Sequence, residues 1–219
     1  MSDISNLIKN LKGSGLVIDS KIEKAMYKID IEDFTEFDYT GFFYDRPVVF
    51  LETPAGGQKN ISAPHMIVTM LNNLELEEGQ KIVVLGAKGG YISALIAHIV
   101  GEKGRVTVLD PSNEVIEHIS NNLRGYPTVE CIKIKQNDYT ELPDLSRVLV
   151  TGQIQELPEW VANSIQEGGF AIAPIGDKYS QRLLKLEKQN NVLLETDLGS
   201  VVFGPLDINE SILSYPSPS

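Results

Sequence analysis

After Pro64, short apolar runs alternate with stretches whose apolar residues recur at helical spacing, and this alternation restricts the fold more than any other feature. In chain order we predict helix 64–74, strand 81–86, helix 90–99, strand 105–110, helix 112–123, strands 129–135 and 147–151, helix 158–166 and strand 170–175. Strands and helices that alternate at this spacing are typical of a parallel, doubly wound α/β sheet. Right-handed crossovers in such a sheet place ligands at the carboxyl ends of the strands.

The segments on either side of this region extend the same domain. Ile4, Leu7, Ile8 and Leu11 predict an N-terminal helix, a second helix begins with Ser20 as its cap, and residues 34–60 are irregular. The leucines after residue 181 fit either a helix or a strand, but Asn190-Asn191 favours the turn of an antiparallel hairpin. We therefore predict one domain, 1–219, with a mostly parallel, seven-stranded sheet. Residues 1–60 are a helical and loop-rich extension that covers the site, and 61–219 form the core.

Charge and cysteine content exclude several classes of protein. The net charge is −11 and no dense cluster of lysine and arginine occurs, so neither nucleic acid nor an anionic membrane is expected as a partner. A single cysteine, Cys131, excludes an internal disulfide and a cysteine-based metal site, and we predict no metal. No signal-peptide pattern and no membrane-spanning apolar run is found, which predicts a soluble, cytoplasmic protein. The oligomeric state stays open.

A glycine cluster follows the first strand of the alternating region, in the run VVLGAKGGY (83–91). Glycines let the backbone approach a ligand, and the next helix offers free N–H groups, but a plain tight turn fits the same letters. Asp110 ends the second strand, 24 residues beyond Gly86, where a carboxylate can accept the hydroxyls of a ribose. Asp110 could instead cap helix 112–123, a role that Ser112 could also fill. The pair predicts a site for an adenosine-containing ligand.

A second motif lies upstream, in Tyr44-Asp45-Arg46-Pro47 and in Gly57-Gln58-Lys59-Asn60-Ile61-Ser62-Ala63-Pro64-His65-Met66. This closely resembles the segment before the cofactor domain of the protein-L-isoaspartate O-methyltransferases, which are class I enzymes dependent on S-adenosylmethionine. Val150-Thr151, Leu157-Pro158-Glu159, Gly168-Gly169 and Phe203-Gly204-Pro205-Leu206, which looks like the closing strand, follow in family order. The resemblance covers nearly the whole chain and implies a Rossmann-like methyltransferase fold.

The resemblance also implies the chemistry. The family transfers a methyl group from S-adenosyl-L-methionine to the α-carboxylate of an isoaspartyl residue in a damaged protein, and the ester then cyclises to a succinimide that opens partly to aspartate. The acceptor carboxylate is already a nucleophile, so catalysis would depend on positioning and exclusion of water. The expected partners are isoaspartyl proteins or peptides. A methyltransferase with another substrate, or a non-catalytic descendant that binds such peptides or a partner protein, stays open.

Candidate site residues follow from matching the family's motifs. Ser62 is the candidate catalytic residue, whose hydroxyl would hold the acceptor carboxylate, although Ser62 could also cap the helix that begins near Pro64. The predicted cofactor-binding residues are Asn60, Ile61, Ser62, Val84, Gly86, Ala87, Lys88, Gly90, Asp110, Asn137 and Asp138. The predicted substrate-binding residues are Ala63, Pro64, His65 and Thr151, with a structural role for His65 as the alternative.

The sequence departs from the family pattern on the cofactor side. Valine stands at position 84, where family members usually carry an acidic residue, and Lys88 replaces the central glycine of the turn. Lys88 predicts backbone strain of about 1 kcal/mol if its φ is positive. Its ammonium could pair with the carboxylate of the cofactor, add positive charge near the sulfonium, or point to solvent. Asp45 and Arg46 are predicted to form a salt bridge within their loop.

Overall fold

The computed structural model describes residues 3–53, 56–134 and 145–206. A two-stranded antiparallel sheet comprises β1 (Val48–Glu52) and β2 (Gln58–Ile61). The main sheet comprises β3 (Lys81–Leu85), β4 (Arg105–Asp110), β5 (Val129–Lys133), β6 (Leu145–Val150), β7 (Ile165–Gly176), β8 (Gln181–Gln189) and β9 (Val192–Val201). Its strand order is β5-β4-β3-β6-β7-β8-β9.

The prediction of a mostly parallel, seven-stranded sheet is confirmed. In the sheet, the five neighbouring strands β5, β4, β3, β6 and β7 run parallel to one another, whereas β8 is antiparallel to both β7 and β9. The predicted hairpin is also present, because Asn190 (φ 53°) and Asn191 (φ 60°) turn the chain in the left-handed conformation that asparagine tolerates. The leucines of residues 181–201 thus belong to two strands.

The order of strands reverses at β3, which lies between β4 and β6. A chain that leaves β3 on one side and returns on the other opens a crevice at the carboxyl ends of these strands. Leu85, Asp110 and Val150 are the last residues of β3, β4 and β6, so the segments that follow them meet at this edge. The fold therefore places a potential ligand site there before any side chain is considered.

Six α-helices accompany the sheet in the described ranges: α1 (Asp3–Gly13), α2 (Ser20–Lys28), α3 (Pro64–Asn73), α4 (Tyr91–Val100), α5 (Asn113–Asn122) and α6 (Glu159–Ser164). Most predicted boundaries differ by one or two residues. The cap of α2 is Asp19, whose carboxylate accepts the N–H of Lys21, so the prediction of Ser20 was wrong by one residue. Residues 1–2, 54–55, 135–144 and 207–219 lie outside the described part of the chain.

The predicted helix 158–166 was too long, and the predicted strand 170–175 too short. Ile165 already pairs with Leu145 of β6, so α6 ends at Ser164 and β7 begins at once. Gly168 has a φ of 75°, within the stretch where the β6–β7 register shifts, so glycine here marks an irregularity inside the strand. The sequence pattern of residues 158–166 did not reveal that the helix changes to a strand as early as Ile165.

The N-terminal extension packs onto one face of the main sheet. Phe34 and Phe42 are fully buried, and their rings meet the buried ring of Tyr91 edge to face at centroid distances of 5.4 and 5.3 Å. Leu7 of α1 belongs to the same buried cluster as Val84 of β3. The extension thus fixes the start of α4 directly behind the glycine turn. Among the described residues, no helix has the length and apolar character needed to cross a membrane.

Candidate active site

A cavity of about 830 Å³ opens at the carboxyl ends of β3, β4 and β6. This volume lies within the range of small-molecule sites in proteins. Nine of the predicted site residues line the cavity: Asn60, Ser62, Ala63, His65, Gly86, Ala87, Lys88, Asp110 and Thr151. The two sequence motifs, about 25 residues apart in the chain, therefore meet at one site.

Four other predicted residues are not in the lining. Ile61, Pro64, Val84 and Gly90 are all buried, and Val84 is wholly enclosed in the cluster beneath the extension. Side chains alternate along a strand, so Val84 faces the opposite side of the sheet from Val83 and Leu85. The remaining two, Asn137 and Asp138, lie outside the described residues.

The turn after β3 requires glycine at position 86. Gly86 has a φ of 91°, and its N–H donates to the carbonyl of Leu109 at 2.8 Å. The fully buried hydroxyl of Thr151 donates to the carbonyl of Gly86 at 2.8 Å. A Cβ atom at position 86 would come within 2.6 Å of the same Thr151 oxygen. Thr151, predicted to bind substrate, thus also holds the turn in place.

Asp110 connects the glycine turn to the next helix. One carboxylate oxygen accepts the N–H of Ala87 at 3.0 Å, and the other accepts the N–H of Ser112 at 2.9 Å. The cap of α5 is Ser112, whose hydroxyl oxygen accepts the N–H of Val115, so Asp110 does not cap that helix. Asp110 is only 6% exposed, yet it lines the cavity. An anionic acceptor in this position suits a ligand that carries neighbouring hydroxyl groups.

Lys88 extends along the cavity. Its φ is 43°, which is the left-handed conformation that the sequence predicted to be strained. The ammonium lies 5.7 Å from the centroid of the Phe203 ring and lines the cavity, so of the three alternatives for Lys88 the one in which it points to solvent does not apply. Burial and, to a smaller extent, the positive charge of Lys59 lower the pKa of Lys88 to about 8, against the opposing effect of Asp110. Lys88 thus brings a destabilised positive charge into the cavity.

Ser62 lines the cavity beside the start of α3 without capping that helix. The N-cap residue is Ala63, whose side chain cannot accept a hydrogen bond from the first turn of α3. Asp45 instead accepts the backbone N–H of His65 at 2.8 Å, and its carboxylate lies 2.9 Å from the ring Nδ1 of His65. The predicted Asp45–Arg46 salt bridge is replaced by this Asp45–His65 pair. Within the described ranges, the Ser62 hydroxyl makes no hydrogen bond, so it is available to a ligand.

We expect Asp45→Ala to destabilise the protein by about 1 kcal/mol, because the first turn of α3 loses its acceptor. Asp45→Asn should restore most of that loss, since its amide oxygen can accept the same N–H. The free energy of unfolding from urea denaturation is the measurement. Glu36→Ala, which removes an exposed carboxylate from the same extension, is the matched control. Equal stability of the Asp45→Ala and Glu36→Ala variants would contradict the capping role.

The wall formed by Ser200–Leu206 was missed as part of the site. All seven residues line the cavity, and β9 ends at Val201. Within the described part of the chain, residues 203–206, which resemble the closing strand of the family, form only an isolated parallel bridge between Pro205 and Gln153. The side chain of Gln181 accepts the N–H of Phe203 at 2.7 Å and donates to its carbonyl at 3.0 Å. Gly204-Pro205 was an available signal, because both residues interrupt a strand.

The chain was compared with known proteins. The family described as Protein-L-isoaspartate(D-aspartate) O-methyltransferase matches residues 2–211. A Protein-L-isoaspartate O-methyltransferase from Methanopyrus kandleri is 30% identical over 206 residues, which cover 91% of this chain and 89% of the relative. One from Methanothrix thermoacetophila is 31% identical over 204 residues, which cover 91% and 92%. The match thus extends over both motifs of the site.

Two solved structures share the fold. A Plasmodium falciparum protein in complex with S-adenosyl-L-homocysteine superposes with a TM-score of 0.79 at 22% identity, covering 95% of this chain and 100% of that chain. A structure of a protein-L-isoaspartate O-methyltransferase gives a TM-score of 0.82 at 23% identity, covering 92% and 65%. At such low identity the similarity establishes the fold alone. It includes the extension, since almost the whole chain is covered.

Proposed function

Because the chain belongs to the protein-L-isoaspartate(D-aspartate) O-methyltransferase family, we propose that it methylates the α-carboxylate of L-isoaspartyl residues in damaged proteins, with S-adenosyl-L-methionine as methyl donor. The observation that carries the proposal is a juxtaposition within one cavity. The glycine turn and Asp110 line one side, and the Ser62 hydroxyl, unbonded within the described ranges, lines another. A cofactor subsite and an acceptor subsite would thus share one enclosure.

The residues around the glycine turn fit an adenosine-containing cofactor. Gly86 lines the cavity at the end of β3, and Asp110 presents a carboxylate whose orientation is fixed by two backbone N–H groups. The other predicted cofactor-binding residues in the lining are Asn60, Ser62, Ala87 and Lys88. When bound, S-adenosylmethionine supplies an electrophilic methyl group on a positively charged sulfur. Asp110 would accept the ribose hydroxyls.

Ser62 would position the acceptor. Its hydroxyl would donate a hydrogen bond to one oxygen of the substrate carboxylate and would leave the other oxygen free to act as the nucleophile. No base is required, because a carboxylate is ionised at neutral pH. The contribution of the protein is therefore alignment of the two reacting groups, which can supply several kcal/mol of barrier reduction, of the order known for intramolecular reactions. The methyl ester then cyclises to a succinimide, which opens partly to aspartate.

The substrate side is formed by the start of α3. Ala63 and His65 line the cavity next to Ser62. The His65 ring is engaged by Asp45, which supports a role in holding the subsite in shape. Isoaspartyl proteins or peptides are accordingly the proposed partners. A cytoplasmic location is part of the same proposal, supported by a composition with one cysteine.

A pair of peptides tests the function. We expect methyl transfer from radiolabelled S-adenosylmethionine to a peptide that contains one L-isoaspartyl residue. The same peptide with normal aspartate should accept at least about 100-fold less, because its carboxylate lies on a different backbone geometry. Binding of S-adenosylhomocysteine with no transfer to the isoaspartyl peptide would favour another substrate. Absence of both binding and transfer would favour a non-catalytic descendant.

A further inference from the structure

Lys88 is the one position of the glycine turn that carries a long side chain, and that side chain enters the cavity. Its ammonium lies against the Phe203 ring at 5.7 Å from the centroid. Within the described residues it makes neither a hydrogen bond nor an ion pair, and besides the Phe203 ring only the longer-range charges of Lys59 and Asp110 act on it. Lysine at position 88 therefore places a positive charge in the cavity and not on the outer surface of the protein.

The charges that face Lys88 leave its positive charge poorly compensated. Lys59 on β2 repels it, and Asp110 at the end of β4 attracts it. Both oxygens of Asp110 already accept backbone N–H groups, which draws part of its charge away from the cavity. His65, at the start of α3, lines the same cavity and is paired with Asp45, while the wall around Phe203 carries no charge. The lowered pKa of Lys88 shows that burial outweighs the attraction of Asp110.

We propose that Lys88 is a specificity-determining residue that shifts the preference of this cavity away from the sulfonium S-adenosylmethionine and toward the neutral thioether S-adenosylhomocysteine. This inference rests on the proposed function. It assigns to Lys88 a role in specificity rather than in catalysis.

The two ligands differ by one methyl group and one positive charge. All contacts to adenosine and to the amino-acid portion are shared, so they cancel in the ratio of the two dissociation constants. Charges are screened over about 8 Å at physiological ionic strength, and less strongly inside a protein, so the charge of Lys88 acts across a cavity of this size. We expect the charge of Lys88 to shift the ratio by about tenfold in favour of the thioether.

The selectivity should depend on pH in a defined direction. The pKa of Lys88 is about 8, so the side chain is mostly charged at pH 7 and mostly neutral at pH 9. The preference for the thioether is therefore present at pH 7 and is lost as pH rises through 8. The amino group of the ligand also titrates in this pH range, but it does so with every variant. Its effect on the ratio of the dissociation constants therefore cancels when variants are compared.

Calorimetric titration of the two ligands into the full chain tests the inference. At pH 7 the ratio of the S-adenosylmethionine to the S-adenosylhomocysteine dissociation constant should be about tenfold larger in the wild type than in Lys88→Met. At pH 9 the two ratios should agree within about twofold, whereas Lys88→Arg should keep the large ratio at both pH values. Lys81→Met, at the opposite end of β3, is the matched control and should change neither ratio.

Lys88→Gly gives a second neutral variant that also relieves the left-handed backbone, in case methionine is not tolerated. Equal ratios in the wild type and the neutral variants at pH 7 would overturn the inference and leave the proposed function intact. Failure of the wild type and the neutral variants to bind either ligand would overturn the proposed function and this inference with it.

Discussion

Replacing Asp110 by alanine is expected to weaken binding of S-adenosylhomocysteine by about 100-fold, since a charge-assisted hydrogen bond contributes about 1.5–3 kcal/mol. The carboxylate has two functions that the variant removes together. It lines the cavity as an acceptor for ribose hydroxyls, and it fixes the glycine turn through the N–H of Ala87. Calorimetry gives the dissociation constant directly.

The controls for Asp110 separate these two functions. To the wild type, a cofactor analogue that lacks the 2′-hydroxyl should bind more weakly than S-adenosylhomocysteine. To Asp110→Ala, the two ligands should bind with equal affinity. Glu114→Ala removes an exposed carboxylate from the next helix and should leave affinity unchanged. An unaltered dissociation constant in Asp110→Ala would remove Asp110 from the cofactor subsite.

Replacing Ser62 by alanine is expected to lower kcat for an isoaspartyl peptide by about 10- to 100-fold, as for the loss of one positioned hydrogen bond to a charged group. The free energy of unfolding should change little, because the hydroxyl makes no hydrogen bond within the described ranges. Steady-state kinetics at saturating cofactor, with urea denaturation alongside, measure both effects.

Two further variants make the Ser62 result specific. Ser62→Thr keeps a hydroxyl and should retain much of the activity lost in Ser62→Ala. Ser146→Ala, which removes a hydroxyl at the amino end of β6, should leave kcat unchanged. A Ser62→Ala enzyme with wild-type kcat would show that acceptor alignment does not depend on this residue. The affinity of the Ser62→Ala enzyme for S-adenosylhomocysteine is a separate test of the prediction that Ser62 also contacts the cofactor.

The sheet was predictable because local patterns specify it. Alternation of apolar runs with helical spacing predicted β3, β4 and the α-helix between them to within a residue or two, and Asn190-Asn191 identified the hairpin from turn chemistry alone. The site was predictable where a motif fixes its own geometry, as in the turn at Gly86 and the carboxylate of Asp110. These features depend on residues close together in sequence.

Features that depend on distant residues escaped prediction. The cap of α3 comes from Asp45, about 20 residues upstream, so neighbouring letters suggested Ser62 instead. The Lys88 side chain lies beside the ring of Phe203, a residue more than 100 positions away in sequence that only the folded chain brings alongside. Val84 was assigned to the cofactor subsite by its place in the motif, whereas strand alternation directs it into the core.

The proposed reaction of this cavity, methylation of isoaspartyl carboxylates, can be followed on a single peptide. An isoaspartyl peptide is incubated with the protein and S-adenosylmethionine and analysed by mass spectrometry and chromatography. We expect a product heavier by one methyl group, followed by the succinimide and then by the aspartyl form of the peptide. An isoaspartyl peptide that stays unmodified while S-adenosylhomocysteine binds to the protein would contradict the proposed reaction.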